Sequence, residues 1–197
     1  FAKGMVDWGM APAAAGALTF LMGILLGAVN GCMITVFRLP GFIATLGMQY
    51  IARGLCYVIT NSYPVSKIPA SVAWIGRGHL LNAVPWPVVI MIAVYVVISF
   101  VSKKTKFGRF VYATGGNQEA AHLSGINVRL IVSTVFVLGG IFAALTGVIL
   151  VSRLNSGQPS GGMGFEFQAV IACVLGGISL TGGKGKRVMT DGQAYEV

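Results

Sequence analysis

The sequence predicts an all-α fold, a polytopic bundle of transmembrane helices, from three observations. Of the 197 residues, 55% are hydrophobic and 10% are charged, whereas a typical soluble domain has about 25% charged residues. Three stretches, residues 8–37, 78–102 and 130–152, contain no Asp, Glu, Lys or Arg. Each is longer than the roughly 20 residues that a helix needs to cross a bilayer. We therefore expect a multi-pass membrane protein with about five spans or half-spans.

The first predicted span covers residues 12–37 and begins with Pro12, a residue favoured in the first turn of a helix. Within it, glycines recur every four residues along one helix face, at Gly23, Gly27 and Gly31. This spacing lets the backbone of a second helix approach closely. We interpret the glycines as a packing surface.

The second predicted span covers residues 39–60, with Pro40 in its first turn and Arg53 about two-thirds of the way along. An arginine at that depth either extends its side chain towards the far interface or faces a polar interior of the bundle. Both interpretations stay open. Arg53 is therefore a candidate for a transport path.

The next segment, residues 61–83, contains prolines, Asn and Ser, so a loop is predicted there, with Trp74 and Trp86 at the interface level. Two further spans are predicted at residues 84–102 and 130–151. The last of these has its own small-residue stripe, formed by Gly139, Ala143 and Gly147.

The distribution of positive charge predicts the orientation. The loop at residues 103–129 has five cations and one acid, and the alternation of spans places Arg38 on the same side. The opposite side has Lys67, Arg77 and Arg153. Because Lys and Arg are enriched in cytoplasmic loops, residues 103–129 are predicted to be cytoplasmic. Residues 61–83 and 152–167 are then periplasmic.

After the last full span, residues 167–183 form an uncharged run of 17 residues, interrupted by glycine pairs at 176–177 and 182–183. Such a run predicts a broken, re-entrant or half-spanning segment. Irregular backbone at membrane depth is tolerated where protein or a water-filled path covers it. Gly176 and Gly177 are therefore candidates for a transport path, although close helix packing would explain them equally well.

Several functional classes are excluded or disfavoured. Five carboxylates without acid–base spacing argue against a catalytic site, and the two histidines lie in loops on opposite sides, so no metal site is predicted. The run TGGKGK fails the spacing of a phosphate-binding loop. Basic residues cluster at span ends without interleaved aromatic residues, which disfavours nucleic-acid binding. The three cysteines are interpreted as small hydrophobic residues, and no cofactor is predicted.

The loop GGNQEAAHLSGINV at residues 115–128 contains the pattern E-A-A-x-x-x-G. Asn117 suits a helix N-cap, Glu119 favours the first turn, and Ala120 and Ala121 are strong helix formers. Gly125 suits a positive φ angle at the end of the helix. A short helix outside the membrane is therefore predicted. It is either an ordinary connection between two spans or a projecting helix that binds in a groove of a partner protein.

This pattern resembles the coupling-loop signature of permease subunits in bacterial ABC importers. The wider stretch GRFVYATGGNQEAAHLSGINV resembles the ribose-type sugar branch, and so do LPGFIATLGM, TNSYPV and RLNSGQPSGGMGFEFQAVIACVLGGISLTGGKG. The resemblance extends from about Arg38 to Gly185. The tail KRVMTDGQAYEV departs from the family, in which a further apolar span follows, and the chain begins with Phe1. Residues 1–197 are thus expected to form a single but partial transmembrane permease domain, truncated at both ends.

The resemblance implies a homodimeric, multi-pass permease of the bacterial inner membrane that translocates a monosaccharide and has no enzymatic activity of its own. A cytoplasmic ATP-binding subunit would dock on residues 115–128 of the coupling loop at 103–129, and a periplasmic sugar-binding protein would deliver the sugar. By matching positions, the coupling role is expected at Asn117, Glu119, Ala120, Ala121 and Gly125, with Gly115 and Gly116 as a flexible entry.

In the outer loops, Asn155, Gln158 and Glu166 are further candidates for the translocation path, because amide and carboxylate groups suit sugar hydroxyls. Two alternatives belong to other classes. An ion-coupled transporter or channel would need ionisable residues within the spans, where only Arg53 qualifies. A membrane scaffold that moves no solute would leave the glycine-broken segment and the short loop helix unexplained.

Overall fold

The computed structural model describes residues 1–80, 84–177, 188–190 and 193–195. The helices in these residues are α1 (Ala2–Val6), α2 (Pro12–Thr35), α3 (Gly41–Thr60), α4 (Ala70–Arg77), α5 (Trp86–Lys104), α6 (Lys106–Gly116), α7 (Gln118–Leu123), α8 (Val128–Leu154) and α9 (Phe165–Leu175). The strands are β1 (Val65–Ser66), β2 (His79–Leu80), β3 (Val84–Pro85), β4 (Ser156–Gly157), β5 (Val188–Thr190) and β6 (Gln193–Tyr195). The strands form three antiparallel pairs, β1–β4, β2–β3 and β5–β6.

Among the described residues, four helices are long and apolar enough to cross a membrane, namely α2, α3, α5 and α8. They coincide with the four full spans predicted from the sequence, so the all-α polytopic fold is confirmed. Pro12 is the first residue of α2, as expected. Pro40 is the N-cap of α3 and not part of its first turn, because the helix begins one residue later at Gly41. The bounds of the other spans shift by two or three residues.

The chain divides into two compact units, residues 1–97 with 132–161, and residues 98–131 with 162–197. In the first unit, α2 and α8 pack closely through glycines. A Cβ atom on Gly27 would lie 2.6 Å from the Phe136 carbonyl oxygen, and one on Gly31 would lie 2.8 Å from Ser133 Cα. The contacts follow opposite orders along the two helices, so α2 and α8 are antiparallel. The glycine stripe predicted on α2 is therefore a packing surface.

The packed face of α8 differs from the predicted stripe. A Cβ on Gly140 would overlap the Gly23 carbonyl oxygen, whereas one on Gly139 or Gly147 would have no neighbour within 4 Å. The stripe that packs is displaced by one residue and continues through Ala144, which is buried. The stripe of Gly139, Ala143 and Gly147 noted in the sequence is therefore not the row that meets α2. A helix that is apolar all round offers several small-residue rows, and sequence alone does not select among them.

A small hydrophobic cluster closes one end of this unit. Its buried residues come from three separate parts of the chain: Ala2, Met5, Ala15, Ile68 and Val72. Helix α4, which was not predicted, supplies Val72 to the cluster, and Gly76 of α4 lies against the backbone of Ser152 and Arg153. Strand β1 pairs with β4, with Ser66 opposite Ser156. Within the first unit, the paired parts of the two loops predicted to be periplasmic therefore lie side by side.

In the second unit, α9 is too short to span a bilayer. Its 11 residues extend about 16 Å at 1.5 Å per residue, against about 30 Å of hydrocarbon. It begins after Gly164 and ends at Leu175, with Gly176 as C-cap and Gly177 at φ +87°. The helix thus stops at the predicted glycine pair 176–177, because Gly177 adopts a left-handed conformation that other residues rarely take. The second predicted pair, 182–183, lies outside the described residues.

Candidate functional site

The loop helix α7 is capped at its N-terminus by Asn117. The Asn117 Oδ1 atom accepts hydrogen bonds from the backbone N–H groups of Glu119 and Ala120, both at 3.0 Å. These two bonds satisfy donors that the first turn of a helix leaves unpaired. Asn117 adopts an extended conformation and also follows the last residue of α6. One residue therefore separates two helices and fixes the angle between them.

The C-terminus of α7 is closed by Gly125. This glycine has φ +81°, its N–H donates to the His122 carbonyl, and the next N–H, of Ile126, donates to the Ala121 carbonyl, both at 3.0 Å. This pair of bonds is the Schellman motif, in which a glycine in the left-handed conformation ends a helix. The final glycine of the E-A-A-x-x-x-G pattern is therefore required by backbone geometry.

The alanines of the pattern have different environments. Ala121 is buried at 4% exposure, whereas Glu119 and Ala120 are exposed. Leu123, the last residue of α7, is 82% exposed, and sequence reasoning did not select it. A large apolar side chain on a hydrophilic loop is the signal that would have found it. The exposed surface of α7 thus combines one carboxylate, one small residue and one large apolar residue with the polar side chains of Gln118 and His122.

Helix α7 is connected to the membrane span α5 through α6. Gly108 of α6 packs on the last part of α5, and a Cβ there would lie 2.6 Å from Ser102 Cα. Thr105, the N-cap of α6, accepts a hydrogen bond from the Gly108 N–H at 3.2 Å and donates one to the Val101 carbonyl at 2.6 Å. The α5–α6 corner is therefore fixed by backbone contact as well as by hydrogen bonds.

The entry and exit of α7 are both ordered. Gly115 and Gly116, expected as a flexible entry, are the last two residues of α6 and are helical. On the other side, the Asn127 Oδ1 accepts from the Leu130 N–H at 3.2 Å, which caps the start of α8. A displacement of α7 would therefore be transmitted to the adjoining ends of α5 and α8 and would not be absorbed by a flexible loop.

A polar atom beside this site has no partner. Thr114 of α6 is 4% exposed, and its hydroxyl makes no hydrogen bond in the described part of the chain. Leaving a buried hydroxyl unpaired costs about 1–3 kcal/mol. This group was also missed from the sequence, because a threonine in a helix usually bonds a carbonyl of the preceding turn, as Thr19 of α2 does with Ala15.

The residues predicted for a translocation path fall into both compact units. Arg53 is half-buried in α3, Asn155 has φ +54° in the turn after α8, and Gln158 is exposed nearby; all three belong to the first unit. The second unit contains Glu166, half-buried in the first turn of α9, and the exposed pair Gly176 and Gly177. Within the first unit, the structure brings Asn155 and Gln158 into one turn region, while Arg53 lies on a separate helix.

Two polar residues within the spans were not selected from the sequence. Gln49 precedes Arg53 by four residues and is half-buried, so both lie on one face of α3. The Asn30 Oδ1 in α2 is buried and unbonded within residues 1–80 and 84–177. The i, i+4 spacing could have identified Gln49. No cluster of three or more potential metal ligands occurs in the residues that the structure describes.

Comparison with known proteins agrees with these features. Residues 2–184 match the family model described as branched-chain amino acid transport system / permease component. The chain is 44% identical over 178 residues to the ribose import permease protein RbsC of Escherichia coli K12, covering 88% of this chain and 55% of that protein. It is 40% identical over 189 residues to RbsC of Bacillus subtilis 168, covering 95% and 58%.

A third relative is the L-arabinose ABC transporter permease protein AraH of Azospirillum brasilense, 41% identical over 163 residues, with 83% of this chain and 48% of that protein covered. The chain thus spans about half the length of the curated relatives it matches, and no solved structure matches it. With four apolar helices of membrane-spanning length among its described residues and a family match along nearly its whole length, the chain belongs to the permease-component family of branched-chain amino acid transport systems.

Proposed function

We propose that the chain forms the membrane-spanning part of an importer for a ribose-type monosaccharide in the bacterial inner membrane. The energy would come from ATP hydrolysed on a separate cytoplasmic subunit, and the sugar from a periplasmic binding protein. Two copies of the permease would form the path. The names of the relatives, two ribose permeases and an arabinose permease, support the substrate class. The permease itself would catalyse no reaction.

The observation that carries the proposal is the geometry of α7. It is a compact helix with both ends capped, an exposed face formed by Glu119, Ala120 and Leu123, and short ordered connections to α5 and α8. Such a helix suits a groove on a motor subunit, because rigid connections transmit a displacement that a flexible loop would absorb. Its predicted cytoplasmic position, from the positive charge of the surrounding loop, is the side on which ATP is available.

The sugar would contact polar groups that face away from lipid. On α3, Arg53 and Gln49 share a half-buried face, and ionisable groups within membrane spans are costly unless they line a polar interior. Asn155, Gln158 and Glu166 are retained as contacts at the outer entrance, with Gly176 and Gly177 at the end of α9. For Arg53→Gln we expect reduced uptake of labelled sugar with an intact ATPase contact; normal uptake would remove Arg53 from the path.

Crosslinking tests the coupling assignment. Ala120→Cys would be introduced after replacement of Cys32, Cys56 and Cys173, and the host's sugar-transport ATPase would be co-expressed. We expect a crosslink whose yield changes with bound nucleotide. Tyr63→Cys, at an exposed position in the outer loop, is the matched control and should give none. If the protein inserts normally and Ala120→Cys gives no crosslink, α7 is only a connector, and the channel and scaffold interpretations become the leading ones.

A second variant tests whether the shape of α7 matters. Gly125→Val places a branched side chain at φ +81°, which costs about 1–2 kcal/mol or more. We expect loss of sugar-stimulated ATPase activity with normal membrane insertion. Gly116→Ala is the control, because Gly116 is helical and an added Cβ would have no neighbour within 4 Å. Normal transport and ATPase activity in Gly125→Val would remove the coupling role.

A further inference from the structure

The segment that joins α5 to α6 is strongly basic. Lys103 and Lys104 occupy the last turn of α5, Lys106 and Arg109 belong to α6, and all four side chains are exposed. Within residues 98–131 the only carboxylate is Glu119, which lies in the first turn of α7. In the described part of the chain, no ion pair involves these four cations; the pair found there joins Lys3 and Asp7. Their charge is therefore available to an external partner.

The position of α6 relative to the membrane span is fixed. Gly108 lies against the backbone of Ser102, so closely that any side chain at residue 108 would collide with it. The hydrogen bonds of Thr105 to both helices hold the same corner. Because α5 ends at Lys104, α6 begins where the span leaves the hydrocarbon. The first turn of α6 is thus expected close to the level of the lipid headgroups.

The exposed surface of α6 has the composition of a helix that contacts a membrane surface. Lys106, Arg109, Phe110 and Ala113 are exposed at i, i+3, i+4 and i+7, and so form one face. Phe110 is 40% exposed and the neighbouring Tyr112 is 56% exposed. Gly108, on the opposite side of the helix, is buried, whereas the buried Thr114 lies one turn beyond Phe110, at the edge of this face. Exposed cations next to exposed aromatic side chains suit the headgroup region, where basic residues attract anionic lipid and aromatic residues are enriched.

We propose that this face of α6, together with Lys103 and Lys104, binds the anionic headgroups of phospholipids in the cytoplasmic leaflet. Clusters of Lys and Arg directly following a membrane span attract anionic lipid. A protein partner would need acidic groups at the depth of the membrane surface, which the attachment of α6 to the end of α5 makes difficult to reach. The proposal depends on membrane insertion and orientation, and not on the identity of the transported solute.

Lipid binding at this face also bears on α7. Asn117 is the one residue between α6 and α7, and its Oδ1 caps α7. Headgroups bound on α6 therefore restrict the orientation of α7 relative to the bilayer. Anionic lipid would act as a fixed support for the short helix that projects from it.

The test uses the purified full chain in detergent, titrated with short-chain phosphatidylglycerol or phosphatidylcholine, with bound lipid counted by native mass spectrometry. We expect preference for phosphatidylglycerol. The variant Lys106→Gln with Arg109→Gln removes two cations and should weaken phosphatidylglycerol binding about thirtyfold, from the typical contribution of a Lys or Arg near a charged membrane. The matched control, Lys67→Gln with Arg153→Gln, removes two cations at the other end of the spans and should leave the affinity unchanged.

Exchange of the two side chains, Lys106→Arg with Arg109→Lys, keeps the charge and should keep the affinity for phosphatidylglycerol. This variant distinguishes an effect of lost charge from an effect of misfolding. Equal binding by the wild type and the Lys106/Arg109 double variant would overturn the proposal, as would an equal loss in the control. Inorganic phosphate that displaces phosphatidylglycerol at similar concentration would show a phosphate site and not a membrane contact. If the double variant retains lipid but loses the Ala120→Cys crosslink to the ATPase, the face belongs to the ATPase instead.

Discussion

The glycine contact between α2 and α8 gives the sharpest prediction about stability. In Gly27→Ala the new methyl group would lie 2.6 Å from the Phe136 carbonyl oxygen and 2.8 Å from Val137 Cα. Ordinary carbon–oxygen contact begins near 3.3 Å, so the helices must separate by roughly 0.7 Å. Neither neighbouring atom belongs to a flexible side chain, so the helix backbones themselves must move.

Overpacking of this kind costs about 1–3 kcal/mol, and alanine recovers up to about 1 kcal/mol through its higher helix propensity. A net loss of about 1–2 kcal/mol is therefore expected. The control Gly139→Ala makes the same chemical change where a Cβ has no neighbour within 4 Å, so it should be neutral or gain up to about 1 kcal/mol. The gain in helix propensity is common to both variants, so they should differ by the overpacking cost, about 1–3 kcal/mol.

The assay is thermal unfolding of the purified protein in lipid nanodiscs. For a chain of this length, 1 kcal/mol corresponds to about 2–4 °C in Tm. Gly27→Ala is thus expected to melt roughly 2–12 °C below Gly139→Ala. Equal melting temperatures for the two variants would refute the assigned contact between α2 and α8. A larger loss in Gly139→Ala would restore the stripe that the sequence suggested.

Two further predictions concern a buried hydroxyl and the outer loops. Thr114→Val should keep or raise the Tm, because it removes an unpaired buried hydroxyl, whereas Thr105→Val should lower it through the loss of an N-cap worth about 0.5–2 kcal/mol; the reverse order would contradict the hydrogen-bond assignment. Ser66→Cys with Ser156→Cys should form a disulfide under mild oxidation, because the two residues are directly paired across β1 and β4. Ser66→Cys with Ser160→Cys is the control, and crosslinking of the control alone would show that the strand register is wrong. Disulfide formation in the two double-cysteine variants is read from non-reducing gels.

The sequence was sufficient where a local pattern has one physical solution. A stretch of more than 20 uncharged apolar residues must be a helix in a bilayer, because lipid cannot satisfy free backbone groups. This is why α2, α3, α5 and α8 were predicted within a few residues. The ends of α7 were predictable for a similar reason: an Asn cap and a glycine with positive φ are determined by bonds within a few residues of the chain.

The sequence was insufficient where the answer depends on contacts between distant segments. It identified the glycine row on α2, but on α8 it showed the row of Gly139 and not the row of Gly140 that meets α2. Helical periodicity gives the rows of small residues and not the row that meets a partner. It also missed α4, whose burial of Val72 depends on α1 and α2. The exposure of Leu123 likewise depends on which neighbours pack around α7.

The sequence by itself thus determined that the chain spans a membrane, where its long helices lie and how its loop helix begins and ends. Only the tertiary structure decided which helix faces meet, that β1 pairs with β4 across some ninety residues of intervening chain, and that Gly108 fixes α6 to the end of α5. The physical reason is the range of the forces involved. Solvation and capping depend on neighbouring residues and can be predicted from local sequence. Close packing depends on the shapes of two surfaces that meet only after folding.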